Sequence, residues 1–231
     1  MKLKKRLNKI KIFIFARGGS QEIKNKNIIK IKQKPLIHYS IKIAKQIVNK
    51  NSIYISTDSK KIKKIAKLNG VNIIDRPKKL ASGKSPEILS WKHAIKYIQR
   101  NKENFDIFVS LPATSPLRNK LDVIKSIKKL KKKTDIVLTA SEANRNPNFN
   151  MVNKKKNGFY DVVIGTKRIF NRQDAPKVYD LNTVAFVSKP EFILKCKSIF
   201  DGNVDINLIE KNRSLDIDSK YDLKLAKMLI K

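Results

Sequence analysis

The stretch "IFARGGSQEIKNKNI", residues 14–28, is the one on which the reading of the fold turns. Ile12 to Phe15 form an apolar run of strand length that ends at Arg17 and two glycines. Gly18 and Gly19 let the backbone turn tightly with its N–H groups exposed, and amides and lysines follow. A buried strand that opens into such a loop predicts an anion cradle at its carboxyl end.

Working outward, further strand-like runs are "SIYIS" (52–56), "VNII" (71–74), "DIFVSL" (106–111), "DIVLTA" (135–140), "TVAFVS" (183–188) and "VDINLI" (204–209). Segments of helical period lie between them. "KPLIHYSIKIAKQIVNK" places Pro35 as a first-turn residue, "SKKIKKIAKLNG" ends at Gly70, and "SPEILSWKHAIKYIQ" has Ser85 and Pro86 in cap and first-turn positions. "NKLDVIKSIKKLKKK", "PEFILK" and a segment from Ser219 complete the set. This alternation predicts an α/β protein with a mainly parallel sheet and crossover helices on both faces. From about residue 141 to 180 the rhythm breaks, which predicts an excursion with short strands of its own, suited to a substrate lid or a subunit contact. The expected organisation is one domain over residues 1–231.

The 231 residues are 41% hydrophobic, enough for a sizeable core. A lone cysteine, Cys196, excludes an intrachain disulfide and a thiolate-only metal cluster, and points to a reducing compartment. The longest apolar run near the start, Ile12 to Ala16, is too short for a signal core, and no stretch approaches the roughly 18 residues of a membrane span. A cytoplasmic protein without a membrane partner is expected. The net charge of +34 suggests nucleic acid, but the 44 lysines and nine arginines are scattered over nearly every helix. Aromatic residues sit mainly in apolar runs instead of alternating with arginine, against specific RNA binding. Non-specific polyanion binding at low salt is expected; a specific nucleic-acid partner is not.

Ligands of open parallel sheets gather beyond the carboxyl ends of the strands. There the sequence places Arg17-Gly18-Gly19-Ser20 with Lys24, Lys26 and Asn27, then Ser56-Thr57-Asp58, Asp75-Arg76-Pro77, "PATSPLR" (112–118) and "LDID" (215–218). Arginine, lysines and exposed N–H groups suit a triphosphate, and Asp216 with Asp218 could share a hard cation such as Mg²⁺ with it. Neither GxxxxGK[ST] nor GxGxxG occurs. His38 and His93 fall inside helices as packing or surface residues.

"ARGGSQEIKNKN", "STD", "RP", "ATSPLR", "RQDAP" and "DIDS", in this order, resemble the cytidylyltransferases that activate sialic acid and related nine-carbon keto sugars. "IKNKNI", "NRNPNFN" and "APKVYD" look most like the branch acting on legionaminic acid. The resemblance implies a Rossmann-like nucleotide-diphospho-sugar transferase fold and transfer of CMP from CTP to a nonulosonic acid. It also implies Mg²⁺ or Mn²⁺ as cofactor and a homodimer built through residues 141–180. By the same resemblance, Arg17, Gly18, Ser20, Gln21, Lys26, Asn27 and Arg76 bind nucleotide, with Arg17, Lys26 and Asp218 catalytic. Asp216 and Asp218 hold metal, and Arg172, Gln173, Tyr179 and Asn182 face the sugar. The family usually reads Ser-Lys-Gly where Ser20-Gln21-Glu22 stands here, so a phosphate-facing lysine is replaced and a slower enzyme, or a catalytically weak relative, is expected.

Overall fold

The computed structural model describes residues 9–20, 22–165 and 169–230. Strand β1 (Ile10–Phe15) is buried at every position. It lies between two parallel neighbours, which explains a continuous apolar run in place of alternation. Those neighbours are β4 (Ile53–Thr57) and β6 (Ile107–Ser110). A two-residue pair, β2 (Lys30–Ile31) and β3 (Lys34–Pro35), forms a small hairpin outside the sheet. The sheet continues with β5 (Asn72–Asp75), β7 (Ile136–Glu142), β10 (Tyr179–Ser188) and β11 (Val204–Leu208), in the order β11-β7-β10-β6-β1-β4-β5. Only β10 runs antiparallel to its neighbours in this sheet, so the expected mainly parallel α/β architecture is what the chain adopts.

Helices α1 (Leu36–Lys45), α2 (Lys60–Leu68) and α4 (Lys120–Lys129) contribute Ile37, Ile41, Ile62, Ala66, Val123 and Ile127 to the core on one face. On the other face, α3 (Glu87–Arg100) and α5 (Pro190–Lys195) bury Trp91, Ile95 and Ile193 against Phe13 and Phe108. A third cluster joins α6 (Lys220–Leu229), through Leu223 and Ala226, to Leu36 and Ile217. No helix among the described residues is long and apolar enough to cross a membrane.

Helix starts differ from the sequence reading at two prolines. Pro35 and Pro86 are extended cap residues with no side-chain cap bond, one position ahead of the first turn. Asn119 and Ser219, by contrast, make full capping boxes with Asp122 and Asp222. The excursion lies between Glu142 and Tyr179, which pair at the base of the β7–β10 ladder. It carries its own hairpin, β8 (Val152–Lys154) with β9 (Tyr160–Val162). Phe159, Tyr160 and Phe170 stand exposed on it.

Candidate functional site

The carboxyl ends of β1, β5 and β6 open into a cleft of about 530 Å³, lined among others by Phe15, Arg17, Ser20, Lys26, Asn27, Arg76, Pro112, Thr114, Thr183 and Asp218. That size suits a nucleotide-sized ligand. Of the expected nucleotide residues, Arg17, Ser20, Lys26, Asn27 and Arg76 line it. Gln21 lies outside the described residues. Glu22 lines the cleft, whereas Lys24 does not.

The glycine loop is held differently from a fully open cradle. Gly18 N–H donates to Asp58 Oδ1 at 2.8 Å, so this N–H is already spent. Neither Gly18 nor Gly19 needs the left-handed region; the positive-φ glycines among the described residues are Gly70 and Gly158. What Gly18 requires is close approach, since a Cβ there would stand 3.1 Å from Ser59 Cβ. Asn27, itself buried, donates its amide to the Arg17 carbonyl at 3.0 Å and braces that turn.

Arg76 leaves β5 buried. Its Nε donates to Ser56 Oγ at 3.2 Å and its Nη2 to the Ser56 carbonyl at 2.9 Å, while its guanidinium lies 5.5 Å from the Phe15 ring centroid. Desolvation brings its pKa down to about 10, with Glu87 and Asp58 opposing the fall. Glu87, the first residue of α3, also lines the cleft. Glu87 is exposed toward the mouth; desolvation by the surrounding protein raises its pKa, opposed by Trp91 and Arg76 and aided by the charge of Asp216.

Across the cleft, Lys26 Nζ donates to Asp218 Oδ1 at 2.9 Å. Asp216, which does not line the cleft, is half-buried with Oδ1 buried and unpartnered. The segment carrying both aspartates is fixed from two sides. Ile217 N–H donates to the Thr114 carbonyl at 2.9 Å, and Asp222 accepts from Asp218 N–H at 3.1 Å and Ser219 N–H at 2.7 Å. Asp222 is therefore a structural acceptor. No group of three or more His, Cys, Asp or Glu that could hold a metal occurs among the described residues. A pair of carboxylates with one orphaned oxygen fits a Mg²⁺ that keeps waters and takes its remaining oxygens from phosphates.

Arg118 underlies the wall formed by residues 112–114. It is buried; Nη1 donates to Ser40 Oγ at 2.7 Å, and Nη2 donates to the carbonyls of Pro112 at 2.5 Å and Thr183 at 3.2 Å. Complete desolvation brings its pKa down to about 9, with the charges of Asp216 and Asp122 opposing.

None of the four residues expected to face the sugar lines this cleft. Arg172 and Tyr179 line a separate groove at the base of the excursion, where Arg172 Nη2 reaches the Asn144 carbonyl at 2.5 Å. Gln173 is exposed beside them in a single 3₁₀ turn. Asn182 is buried at the irregularity in the β7–β10 register, and its neighbour Thr183 enters the cleft instead. Thr183 and Glu87 escaped the sequence reading: one lies inside an apolar strand, and the other reads as an ordinary first-turn acid.

Residues 12–230 match the cytidylyltransferase family. The chain is 35% identical over 235 residues to the post-translational flagellin modification protein B of Campylobacter coli, covering 97% of this chain and 96% of the relative. It is 34% identical over 221 residues to the CMP-N,N'-diacetyllegionaminic acid synthase of Campylobacter jejuni subsp. jejuni, covering 94% and 93%. Among solved structures, a CMP:2-keto-3-deoxy-manno-octonic acid synthetase complexed with CTP shares the fold, with a TM-score of 0.71 at 14% identity over 96% of this chain and 98% of that one. A match over nearly the whole chain, on a sheet whose strand ends gather cations around a nucleotide-sized cleft, leads to one assignment: the chain belongs to the cytidylyltransferase family of nucleotidyltransferases.

Proposed function

We propose that the protein transfers CMP from CTP to the anomeric hydroxyl of a nine-carbon acidic keto sugar, of the legionaminic or sialic acid type, with release of pyrophosphate. The observation that carries this reading is the meeting of Lys26 and Asp218, 192 positions apart, in one cleft. One comes from the phosphate-type loop and the other from the paired aspartates. The relatives named for legionaminic acid and flagellin modification support the sugar class.

In this reading Arg17, Lys26 and the Ser20 N–H take the triphosphate, and Arg76 holds the nucleoside. Such a transfer needs alignment and charge neutralisation more than covalent help. Asp216 and Asp218 would hold Mg²⁺ or Mn²⁺, which would neutralise phosphate charge there. Lys26 and Arg17 stabilise the charge that builds on the departing pyrophosphate. The sugar enters beside Thr183. Arg172, Gln173 and Tyr179, outside the cleft of their own chain, serve through the excursion, whose exposed Phe159, Tyr160 and Phe170 suit a second copy of the chain. The working form is thus a cytoplasmic homodimer of one domain per chain.

The test is pyrophosphate release with CTP and a panel of nonulosonic acids. Turnover with a legionaminic or sialic acid and none with an eight-carbon keto acid is expected. Turnover confined to eight-carbon acids would overturn the sugar class, and none with any acid would leave the protein a non-catalytic relative.

A further inference from the structure

A cleft that is to hold a polyanion gains nothing from an added carboxylate, yet Glu87 lines it. The topology says where in the cleft this acid lies. Arg76 follows β5, the edge of the sheet, and α3 follows shortly after, whereas Asp218, Thr183 and the Pro112–Thr114 wall lie toward β6 and β10 on the other side of β1. Glu87 therefore shares a wall with Arg76 and feels its charge, with Asp216 also within electrostatic reach.

Arg76 turns two guanidinium nitrogens to Ser56 and keeps Nη1 without a protein partner among the described residues. Ser85, on the same wall, has a buried Oγ without a partner. The wall thus offers a carboxylate that only accepts and a guanidinium that only donates. Cytosine presents a matching edge: the N4 amine donates, and N3 and O2 accept. Uracil carries an acceptor, O4, where cytosine carries the amine.

We propose that Glu87 is a specificity-determining residue that accepts a hydrogen bond from the cytosine N4 amine, with Arg76 Nη1 donating to the same edge, so that a cytosine nucleotide is chosen over a uracil one. Pairing of a carboxylate with the cytosine amine is a general mode of base readout. The buried, unpartnered Ser85 Oγ on the same wall supports it, because a base seated there gives that hydroxyl a partner. Uracil would set O4 against Glu87 and leave both acceptors unpaired. This inference rests on the CTP reading above and adds to it the residue that reads the base.

The experiment measures affinities for CTP and UTP by calorimetry in the wild type, Glu87→Gln and Glu87→Ala, with thermal melts to confirm folding. The wild type is expected to prefer CTP by roughly 100-fold, within the discrimination that a paired base-edge contact gives. In Glu87→Ala the preference should fall to within about fivefold, chiefly through weaker CTP binding. Glu87→Gln, whose amide can present either its carbonyl or its amino group, should keep CTP and gain UTP. An unchanged preference in both variants, or none in the wild type, overturns the proposal. So does a fall in kcat with CTP in Glu87→Gln at unchanged preference, which would make Glu87 a proton acceptor. Failure of the transferase reading shows separately, as a CTP preference that depends on Glu87 without pyrophosphate release on any sugar acid.

Discussion

Lys26 Nζ lies 2.9 Å from Asp218 Oδ1, the lysine side chain largely buried and the carboxylate 72% exposed. A residue suited to phosphate thus occupies an oxygen suited to a cation. Arriving phosphates would draw Lys26 away and free Asp218. Lys26→Met should weaken CTP binding about tenfold or more while tightening Mn²⁺ binding to the nucleotide-free protein by roughly two- to fivefold. Lys24→Met, outside the cleft, controls for net charge. Equal Mn²⁺ affinities in all three proteins, read by paramagnetic resonance, would contradict the competition.

Asp216→Asn and Asp218→Asn should each remove most Mn²⁺-dependent turnover with little change in melting temperature. Asp222→Asn should behave in the opposite way. Its carboxylate caps α6 and accepts three bonds from Ser219 and Asp218, so its loss should cost about 1 kcal/mol. For a chain of this size that is a fall of roughly 2–4 °C in Tm, with activity reduced less than in the paired mutants.

Gly18→Ala and Gly19→Ala separate close approach from conformational freedom. A Cβ at Gly18 meets Ser59, and one at Gly19 meets nothing within 4 Å. The first should lower both thermal stability and CTP affinity; the second should leave stability unchanged. Equal melting temperatures for the two would show that the Asp58 side of the loop yields freely.

Arg118→Met removes the donor from Ser40, Pro112 and Thr183 together. The expected loss is roughly 3 kcal/mol or more, with a fall in Tm of about 6 °C or more. Arg118→Lys keeps the charge and loses the fork, and should fall between. Chemical denaturation of the three proteins checks the order.

Asp135 links β7 to the turn before β11: its carboxylate accepts from Asn203 N–H at 3.0 Å and from Lys189 Nζ at 3.0 Å. The Asn203 bond first, then Lys189, hold its pKa below the ordinary aspartate value. A depressed acid contributes stability that is present above the unfolded pKa and lost as pH falls through the folded one. Asp135→Asn should therefore cost about 1 kcal/mol near neutrality, and the gap to wild type should close as pH falls below about 4. A gap that persists in acid would assign the effect to packing.

Elements that depend on neighbours in sequence are legible in the amino-acid sequence itself. The strand Ile10–Phe15 appears as an apolar run because both its faces are covered, and α2 and α6 appear through Ser59, Ser219 and their apolar period. The ends of elements are less legible. Strand β10 begins at Tyr179, four residues before the apolar run, because its first three residues are exposed and owe their conformation to pairing with β7. No local pattern records such a partner.

The same distinction holds at the site. Arg17, Lys26, Arg76 and Asp218 could be named from the sequence because each follows a strand or stands in a short motif, and residue type alone limits what each can bind. That Lys26 reaches Asp218, that Asp216 keeps a buried oxygen without a partner, and that Arg118 lies buried under the cleft wall depended on tertiary structure. So did the place of Glu87 beside Arg76 and the absence of Arg172 from the cleft of its own chain. The physical reason is range: periodicity and capping are set by contacts a few residues apart, whereas these relations arise only when sheet register and crossover helices bring distant segments together and exclude water between them.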